Sequence, residues 1–234
     1  MPTVKPYPHI YRNERHPSVD NQETSVGIRF IQAYQILKRD LVRLFEFIEP
    51  CPDNYSTYSQ RTFEMLLRAC TEVESNCKQV LRANGHATED ANIIRFSDLN
   101  GPMKLSEYIV CCPAIDFEDF SPFKSFALTV RQDRSPSWYR AYNQAKHDRA
   151  TFFSSASLRN VIEAMGAVHV LIWAQYGPID NQIGWSSGIR AAPASYFSLR
   201  ASPSWSPDER YQFDWNALKS TSQPYDYHPV PQVP

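Results

Sequence analysis

Residues 30–52, FIQAYQILKRDLVRLFEFIEPCP, decide the fold class of this 234-residue chain. Apolar side chains recur in this stretch at alternating steps of four and three, which is the spacing of one side of an α-helix. The positions are Phe30, Tyr34, Leu37, Leu41, Leu44 and Ile48. Pro50 and Pro52 end the pattern, so the sequence predicts a long amphipathic helix over residues 25–49.

A second apolar stripe follows after a short connection. Either Asp53 or Asn54 can cap a helix here, and Asn84-Gly85 supplies a left-handed stop at the other end. The stripe consists of Phe63, Leu66, Cys70, Val73, Cys77 and Val80. The pattern predicts a helix over residues 54–84, packed antiparallel to the first because only a few residues join the two.

A third stripe lies late in the chain, where Ser154 or Ser155 begins a predicted helix over residues 154–176. Its inner positions are Leu158, Val161, Ile162, Met165, Val168 and Ile172. His169 falls in the middle of this helix, and we interpret it as a buried structural residue. We expect the three helices to share one core that contains Leu37, Leu41, Leu66, Cys70, Met165 and Val168.

The other segments have less regular patterns. Residues 1–24 are predicted to form an extended arm, and residues 91–134 an irregular aromatic-rich insertion with two short strands, a hairpin or an irregular cap. The extension over residues 177–234 is rich in Pro, Ser and Trp; Ser206 and Pro207 can start a short helix in it, and Trp205 and Trp215 suggest that part of it packs back. The predicted fold is all-α, an antiparallel bundle of about four main helices over residues 25–176.

The composition excludes several function classes. A net charge of −1 and a pI near 6.6 argue against a protein whose whole surface coats nucleic acid, although they permit a local basic site. Seven glycines stand against 18 prolines, and neither GxGxxG nor a P-loop motif occurs, so a nucleotide fold of either kind is not expected.

Cysteine usage and hydropathy indicate a soluble cytoplasmic protein with reduced thiols. The five cysteines form an odd set without CxxC spacing, so we predict neither a metal site nor a cofactor. The first 20 residues contain no apolar run of a signal peptide. The most apolar stretch, Val161 to Tyr176, is short for a membrane span and contains Glu163 and His169.

The stretch from Ser135 to Arg149, SPSWYRAYNQAKHDR, contains the candidate catalytic residues. Ser135 can cap a helix and Pro136 suits its first position, which predicts a helix over residues 136–148, separate from or continuous with the next. At about 100° per residue, three side chains fall within roughly 60° around the axis. They are Arg140, Asn143 and His147. Together they can hold a phosphate and move a proton near neutral pH, or form an ordinary polar helix face.

Positive charge is concentrated around this motif. Between Arg131 and Arg159 the acidic residues are Asp133 and Asp148, and the basic residues are Arg131, Arg134, Arg140, Lys146, Arg149 and Arg159. The local excess is therefore +4, from six basic and two acidic side chains. Lys146 and Arg149 are the candidate substrate-binding residues.

Two long antiparallel helices followed by a helix with an Arg and His motif resemble the HEPN superfamily, helical domains of prokaryotic toxin, defence and RNA-processing systems. Its catalytic members have an arginine followed after four to six residues by a histidine, and six residues separate Arg140 from His147, with Ala141 directly after the arginine. The phrases YNQAKHDR and LLRACTEVES also resemble uncharacterised bacterial proteins related to that group. The architecture is similar over residues 25–176.

The resemblance implies metal-independent RNA cleavage. His147 would take the 2′-hydroxyl proton or protonate the leaving oxygen, while Arg140 would stabilise phosphate charge and Asn143 would orient the phosphate. It also implies a homodimer with a composite site, an acidic helper for which Glu72 and Glu74 are candidates, and RNA and an antitoxin-like protein as partners. The alternative is a non-catalytic helical interaction or scaffold module, in which Arg140 pairs with a carboxylate such as Glu72 and His147 binds a backbone carbonyl.

Overall fold

The computed structural model describes residues 21–83, 86–176 and 196–200. Helices dominate this part of the chain, and a small antiparallel sheet accompanies them. The α-helices are α1 (Asn21–Phe45), α2 (Gln60–Ala83), α3 (Ile93–Phe96), α4 (Asn100–Met103), α5 (Ser137–His147), α6 (Arg149–Phe152) and α7 (Leu158–Tyr176). The four longest, α1, α2, α5 and α7, coincide in position with the four predicted helices, so the prediction of a helical fold is confirmed.

The predicted core is confirmed. Leu37, Leu41, Leu66, Cys70, Met165 and Val168 are each at most 2 % exposed. Helix α7 is buried along most of its length and packs against α1, α2 and α5. Burial of an apolar stripe from each helix in this shared interior supplies the main driving force for their association.

Helix α1 ends at Phe45, four residues before the predicted end. A turn over residues 46–48 replaces the last predicted helical turn, and Ile48 packs against the core from outside the helix. The start at Asn21 precedes the predicted start at residue 25, and residues 1–20 of the predicted arm lie outside the described residues.

Helix α2 begins six residues later than predicted, because the cap is Ser59 and neither Asp53 nor Asn54. The Ser59 hydroxyl accepts the Thr62 N–H at 3.2 Å, and the Thr62 hydroxyl accepts the Ser59 N–H at 2.7 Å. This reciprocal pairing satisfies two backbone donors at the helix start. Asp53 and Asn54 lie instead in a 3₁₀ turn, Pro52–Asn54. The predicted stop at Asn84-Gly85 lies outside the described residues.

Helix α7 is separate from α5. The short helix α6 and a 3₁₀ turn, Phe153–Ser155, stand between them, and α7 starts at Leu158 rather than at residue 154. The Asp148 carboxylate caps α6 by accepting the Thr151 N–H at 3.1 Å. A polar cap therefore divides two helices in a segment without glycine or proline.

The insertion contains a hairpin, one of the alternatives left open by the sequence. Strands β1 (Ile109–Cys112) and β2 (Phe117–Phe120) pair antiparallel, and β3 (Ser198–Arg200) pairs antiparallel with the other edge of β1. The sheet means that the all-α class is not confirmed. Strand β3 belongs to the C-terminal extension and follows the fully buried Phe197. Trp205, Trp215 and the helix predicted after Ser206 lie outside the described residues.

The sheet packs closely on α7 at a glycine. A Cβ added to Gly166 would lie 2.6 Å from Cζ of Phe120, which is shorter than any ordinary carbon contact. The absence of a side chain at Gly166 therefore allows the Phe120 ring to approach the helix backbone.

Candidate functional site

Helix α5 presents one buried and one exposed face. Its buried side chains are Trp138, Tyr139, Ala141, Tyr142 and Ala145. The Trp138 indole N–H donates to the Pro122 carbonyl at 2.9 Å, which ties the start of the helix to the insertion. The motif residues lie elsewhere on the helix: Arg140, Lys146 and His147 are exposed, and Asn143 is half-buried.

Arg140 turns towards the beginning of α5. Its Nη1 donates to the backbone carbonyl of Ser135, and no carboxylate pairs with it in the described part of the chain. Ser135 does not cap the helix as predicted. The residue at the N-cap is Pro136, with extended φ and ψ of −63° and 154°, and the first turn has no side-chain cap.

His147 is the last residue of α5. Within residues 21–83, 86–176 and 196–200 its imidazole makes no hydrogen bond or ion pair. It is seven positions after Arg140, which corresponds to about 10.5 Å along the helix axis. The Arg140 guanidinium points back towards Ser135. In this conformation, the Arg140 and His147 side chains of one chain therefore do not converge on one atom of a substrate.

Lys146 and Glu74 belong to a polar cluster between α5 and α2. The Lys146 Nζ donates to the Tyr142 hydroxyl at 3.1 Å and lies 5.1 Å from the centre of that ring. The neighbouring Tyr139 hydroxyl donates to Glu74 Oε1 at 2.6 Å. The hydrogen bond between Lys146 and Tyr142 raises the pKa of the Lys146 ammonium. Glu74 therefore contacts α5 through Tyr139, while Arg140 reaches the Ser135 carbonyl.

Glu72 and Arg149 make no contact with Arg140 within the described residues. Burial raises the pKa of the Glu72 carboxyl, and Arg68 on the same helix opposes this shift. The Arg149 guanidinium lies 4.9 Å from the centre of the Phe63 ring and also donates to the Gln60 side chain at 2.5 Å. These contacts hold Arg149, a predicted substrate-binding residue, against the start of α2.

Part of the local positive charge is neutralised in the fold. Arg131 pairs with Asp98 at 2.9 Å, and Arg159 pairs with Glu118 and with Glu163. Of the six basic residues counted in the sequence, the four without a carboxylate partner among the described residues are Arg134, Arg140, Lys146 and Arg149. All but Arg134 belong to the predicted site.

Arg140 lines a cleft of about 820 Å³ between the start of α5, strand β2 and the 3₁₀ turns of the insertion. The charged side chains in its lining are Asp119, Lys124, Asp133, Arg140, Glu163 and Arg200. Asn143 and His147 do not line it. The cleft therefore contains both Arg140 and charged side chains that are up to 60 positions away from it in the sequence.

Glu163 is the cleft residue with an altered titration. Burial raises the pKa of its carboxyl, against the opposing effects of Arg159 at 3.0 Å and the Ser137 hydroxyl at 3.4 Å. Carboxyls with raised pKa in a cleft are frequent at functional sites. The sequence did not mark Glu163 as a site residue, and the available signal was its place as the one carboxylate on the mostly apolar helix α7.

Among the described residues, no group of three or more His, Cys, Asp or Glu side chains is arranged to hold a metal ion. No helix in the described ranges combines the length and the apolar character needed to cross a membrane. Comparison of the chain with family models, with curated proteins and with solved structures finds no match.

Proposed function

We propose that this chain is a metal-independent endoribonuclease of the kind used by prokaryotic toxin or defence systems, acting through Arg140, Asn143 and His147. The observation that carries the proposal is the exposure of Arg140 and His147 on α5 without a carboxylate partner in the described part of the chain. The ion pair between Arg140 and Glu72 that the scaffold alternative predicts is not found among the described residues. In that part of the chain the arginine is held by a backbone carbonyl alone, which leaves further guanidinium N–H groups for a phosphate.

In this proposal each residue has a distinct role. His147 exchanges a proton with the 2′-hydroxyl or with the leaving 5′-oxygen, since an imidazole titrates near neutral pH. Arg140 stabilises the charge that develops on the phosphate, and Asn143 orients it. Lys146 and Arg149 add positive charge that attracts the RNA backbone.

The spacing along α5 supports a site that is shared between two subunits. About 10.5 Å of helix axis separates Arg140 from His147, and the guanidinium points away from the imidazole. Two copies of α5 related by a two-fold axis would place Arg140 of one subunit opposite His147 of the other. The proposed enzyme is therefore a homodimer with two composite sites.

A non-catalytic interaction module is the second candidate function, favoured by apolar side chains exposed to solvent. Phe47, in the turn after α1, is 84 % exposed, and Leu128 and Val130 in the insertion are also exposed. A contiguous exposed apolar patch often marks a contact site for a partner protein, and Leu128 and Val130 lie two positions apart in the chain.

Cleavage of single-stranded and structured RNA by the purified chain in EDTA tests the proposal. His147→Ala should lower the rate on the order of 10²- to 10⁴-fold by removing a proton donor or acceptor. Arg140→Lys should also be strongly impaired, because an ammonium lacks the planar fork. The matched control is Gln144→Ala, an exposed position on the same helix. Equal cleavage by the His147→Ala and Gln144→Ala proteins would reject the assigned role, and a folded dimer that cleaves no RNA would favour the interaction module.

A further inference from the structure

The cleft at the start of α5 has the volume of a small-molecule site. Its volume of about 820 Å³ lies within the range of pockets that enclose drug-sized ligands. Apolar side chains form part of its wall, including Phe120 and Leu128. Arg140 belongs both to this cleft and to the proposed ribonuclease site, whereas His147 and Asn143 do not line the cleft, so binding there can be measured separately from RNA cleavage.

The charges in the cleft divide into paired and unpaired groups. Arg200 pairs with Asp119, and Glu163 pairs with Arg159. Lys124 and Arg140 have no carboxylate partner in the part of the chain that the structure describes. Both line the cleft, and both are exposed to solvent. Lys124 and Arg140 require an anionic group, whereas Asp133, a carboxylate in the same lining without a partner among the described residues, requires hydrogen-bond donors. The lining as a whole contains three basic and three acidic side chains.

A phosphate monoester meets this requirement, since it carries about −1.5 to −2 charges at neutral pH. The planar Arg140 guanidinium can donate two parallel hydrogen bonds to phosphate oxygens, and the Lys124 ammonium adds a point charge. Inorganic phosphate alone would occupy little of the cleft volume. The other lining residues indicate the chemistry of the rest of the ligand.

The remaining lining offers hydrogen-bond acceptors and an apolar surface. The exposed Asp133 carboxylate has no partner among the described residues, and a carboxylate can accept hydrogen bonds from hydroxyl or amino groups. Leu128 supplies an apolar contact that is 46 % exposed and therefore open to a flat ring. Hydroxyl donors, a ring and a phosphate occur together in a nucleotide.

We propose that this cleft binds a mononucleotide, with its phosphate on Arg140 and Lys124, its hydroxyl or amino donors on Asp133 and its base against Leu128. This function goes beyond RNA cleavage at His147, because it uses the N-terminal end of α5 and residues of the insertion. The binding geometry relies on side chains and needs no glycine-rich loop.

Titration calorimetry of the full chain with adenosine 5′-monophosphate tests the proposal. The nucleotide should bind saturably with 1:1 stoichiometry, and Lys124→Ala and Arg140→Ala should each weaken binding by about tenfold or more. Adenosine lacks the phosphate. Its affinity for the parent chain should therefore be no higher than the affinity of the two variants for the nucleotide. Each variant protein is checked for native circular dichroism, because Lys124 and Arg140 are exposed and their truncation should not unfold the chain.

Two further variants separate this proposal from the proposed ribonuclease. Arg39→Ala removes an exposed arginine of α1 that does not line the cleft, and it should bind the nucleotide like the parent chain. His147→Ala should also bind it normally, even where RNA cleavage is lost. Absence of nucleotide binding to the parent, equal affinity for inorganic phosphate and the nucleotide, or an equal loss in Arg39→Ala and Lys124→Ala would overturn the proposal.

Discussion

The Tyr139 hydroxyl on α5 lies 2.6 Å from the Glu74 carboxylate on α2 and donates a hydrogen bond to it. This contact fixes the helix that contains the motif to the longest helical pair of the core. It also gives Glu74 a structural role, since the carboxylate is engaged on the buried side of α5. A hydrogen bond to a charged acceptor contributes about 1.5–3 kcal/mol.

Removing this hydrogen bond should destabilise the fold. Tyr139→Phe should lower the free energy of unfolding by about 1–3 kcal/mol, because the half-buried Glu74 carboxylate loses a donor. Tyr58→Phe is the matched control, since the Tyr58 ring is half exposed and its hydroxyl has no hydrogen bond within the described residues. Urea denaturation measures both variants, and equal stabilities would show that the Tyr139–Glu74 contact contributes nothing.

Stability should fall with acidification because of His169. Burial lowers the pKa of His169 from 6.5 to about 3, and Lys38 adds to the shift. The unfolded chain therefore binds a proton between these pH values that the folded chain does not bind, and stability is lost as pH falls. Between pH 7.5 and pH 5 this group should lower the free energy of unfolding by about 2 kcal/mol.

A non-titrating substitution isolates the effect of His169. In the folded chain its Nδ1 shares a hydrogen bond of 2.8 Å with the Tyr34 hydroxyl, which a glutamine amide can replace. His169→Gln should lose about 2 kcal/mol of the pH dependence, whereas His147→Ala, at an exposed site, should keep it. An unchanged difference in urea midpoint between pH 7.5 and pH 5 in His169→Gln would contradict this account.

The close contact between the sheet and α7 predicts that a larger residue at Gly166 destabilises the fold. A Cβ at residue 166 would lie 2.6 Å from the Phe120 ring, so Gly166→Ala should cost about 1–3 kcal/mol through overpacking. Phe120→Leu replaces the ring with a smaller side chain, so the double variant should recover part of the free energy of unfolding that Gly166→Ala loses. Thermal unfolding of the single and double variants measures the coupling, and additive effects would show that the two residues do not compete for space.

Core truncation should separate the two faces of α1. Leu41 is fully buried, and Leu41→Ala should lower the free energy of unfolding by roughly 2–5 kcal/mol. Ile36→Ala, on the same helix at 44 % exposure, should cost much less because little apolar surface is lost from the interior. Similar denaturation midpoints for these two variants would mean that the helix faces are assigned wrongly.

The long helices were predictable because each contains a continuous apolar stripe, and the buried positions Leu41, Cys70 and Val168 confirm it. Their ends were less predictable, since several polar residues compete to cap a helix. Asp53 and Asn54 precede α2 and are good capping residues, yet they form a 3₁₀ turn while Ser59 makes the cap. Local propensity alone does not rank these candidates.

The sheet and the cleft depend on contacts distant in sequence. Strand β3 has three residues and pairs with β1 almost 90 residues earlier, so no periodic pattern predicts it. Lys124, Arg140 and Glu163 line one cleft because the insertion packs against α5 at Pro122 and against α7 at Phe120. The spacing of Arg140, Asn143 and His147 predicted a shared helix face, but it did not indicate that the Arg140 guanidinium turns towards Ser135.

The central claim, a composite ribonuclease site on α5, is tested most directly by mixing two inactive variants. The Arg140→Ala and His147→Ala proteins are unfolded together, refolded at equal concentrations and assayed for RNA cleavage in EDTA. Random pairing makes half of the dimers mixed, and each mixed dimer contains one intact site of two, so the mixture should recover about one quarter of the parent rate. A mixture no more active than either variant alone would contradict the composite site.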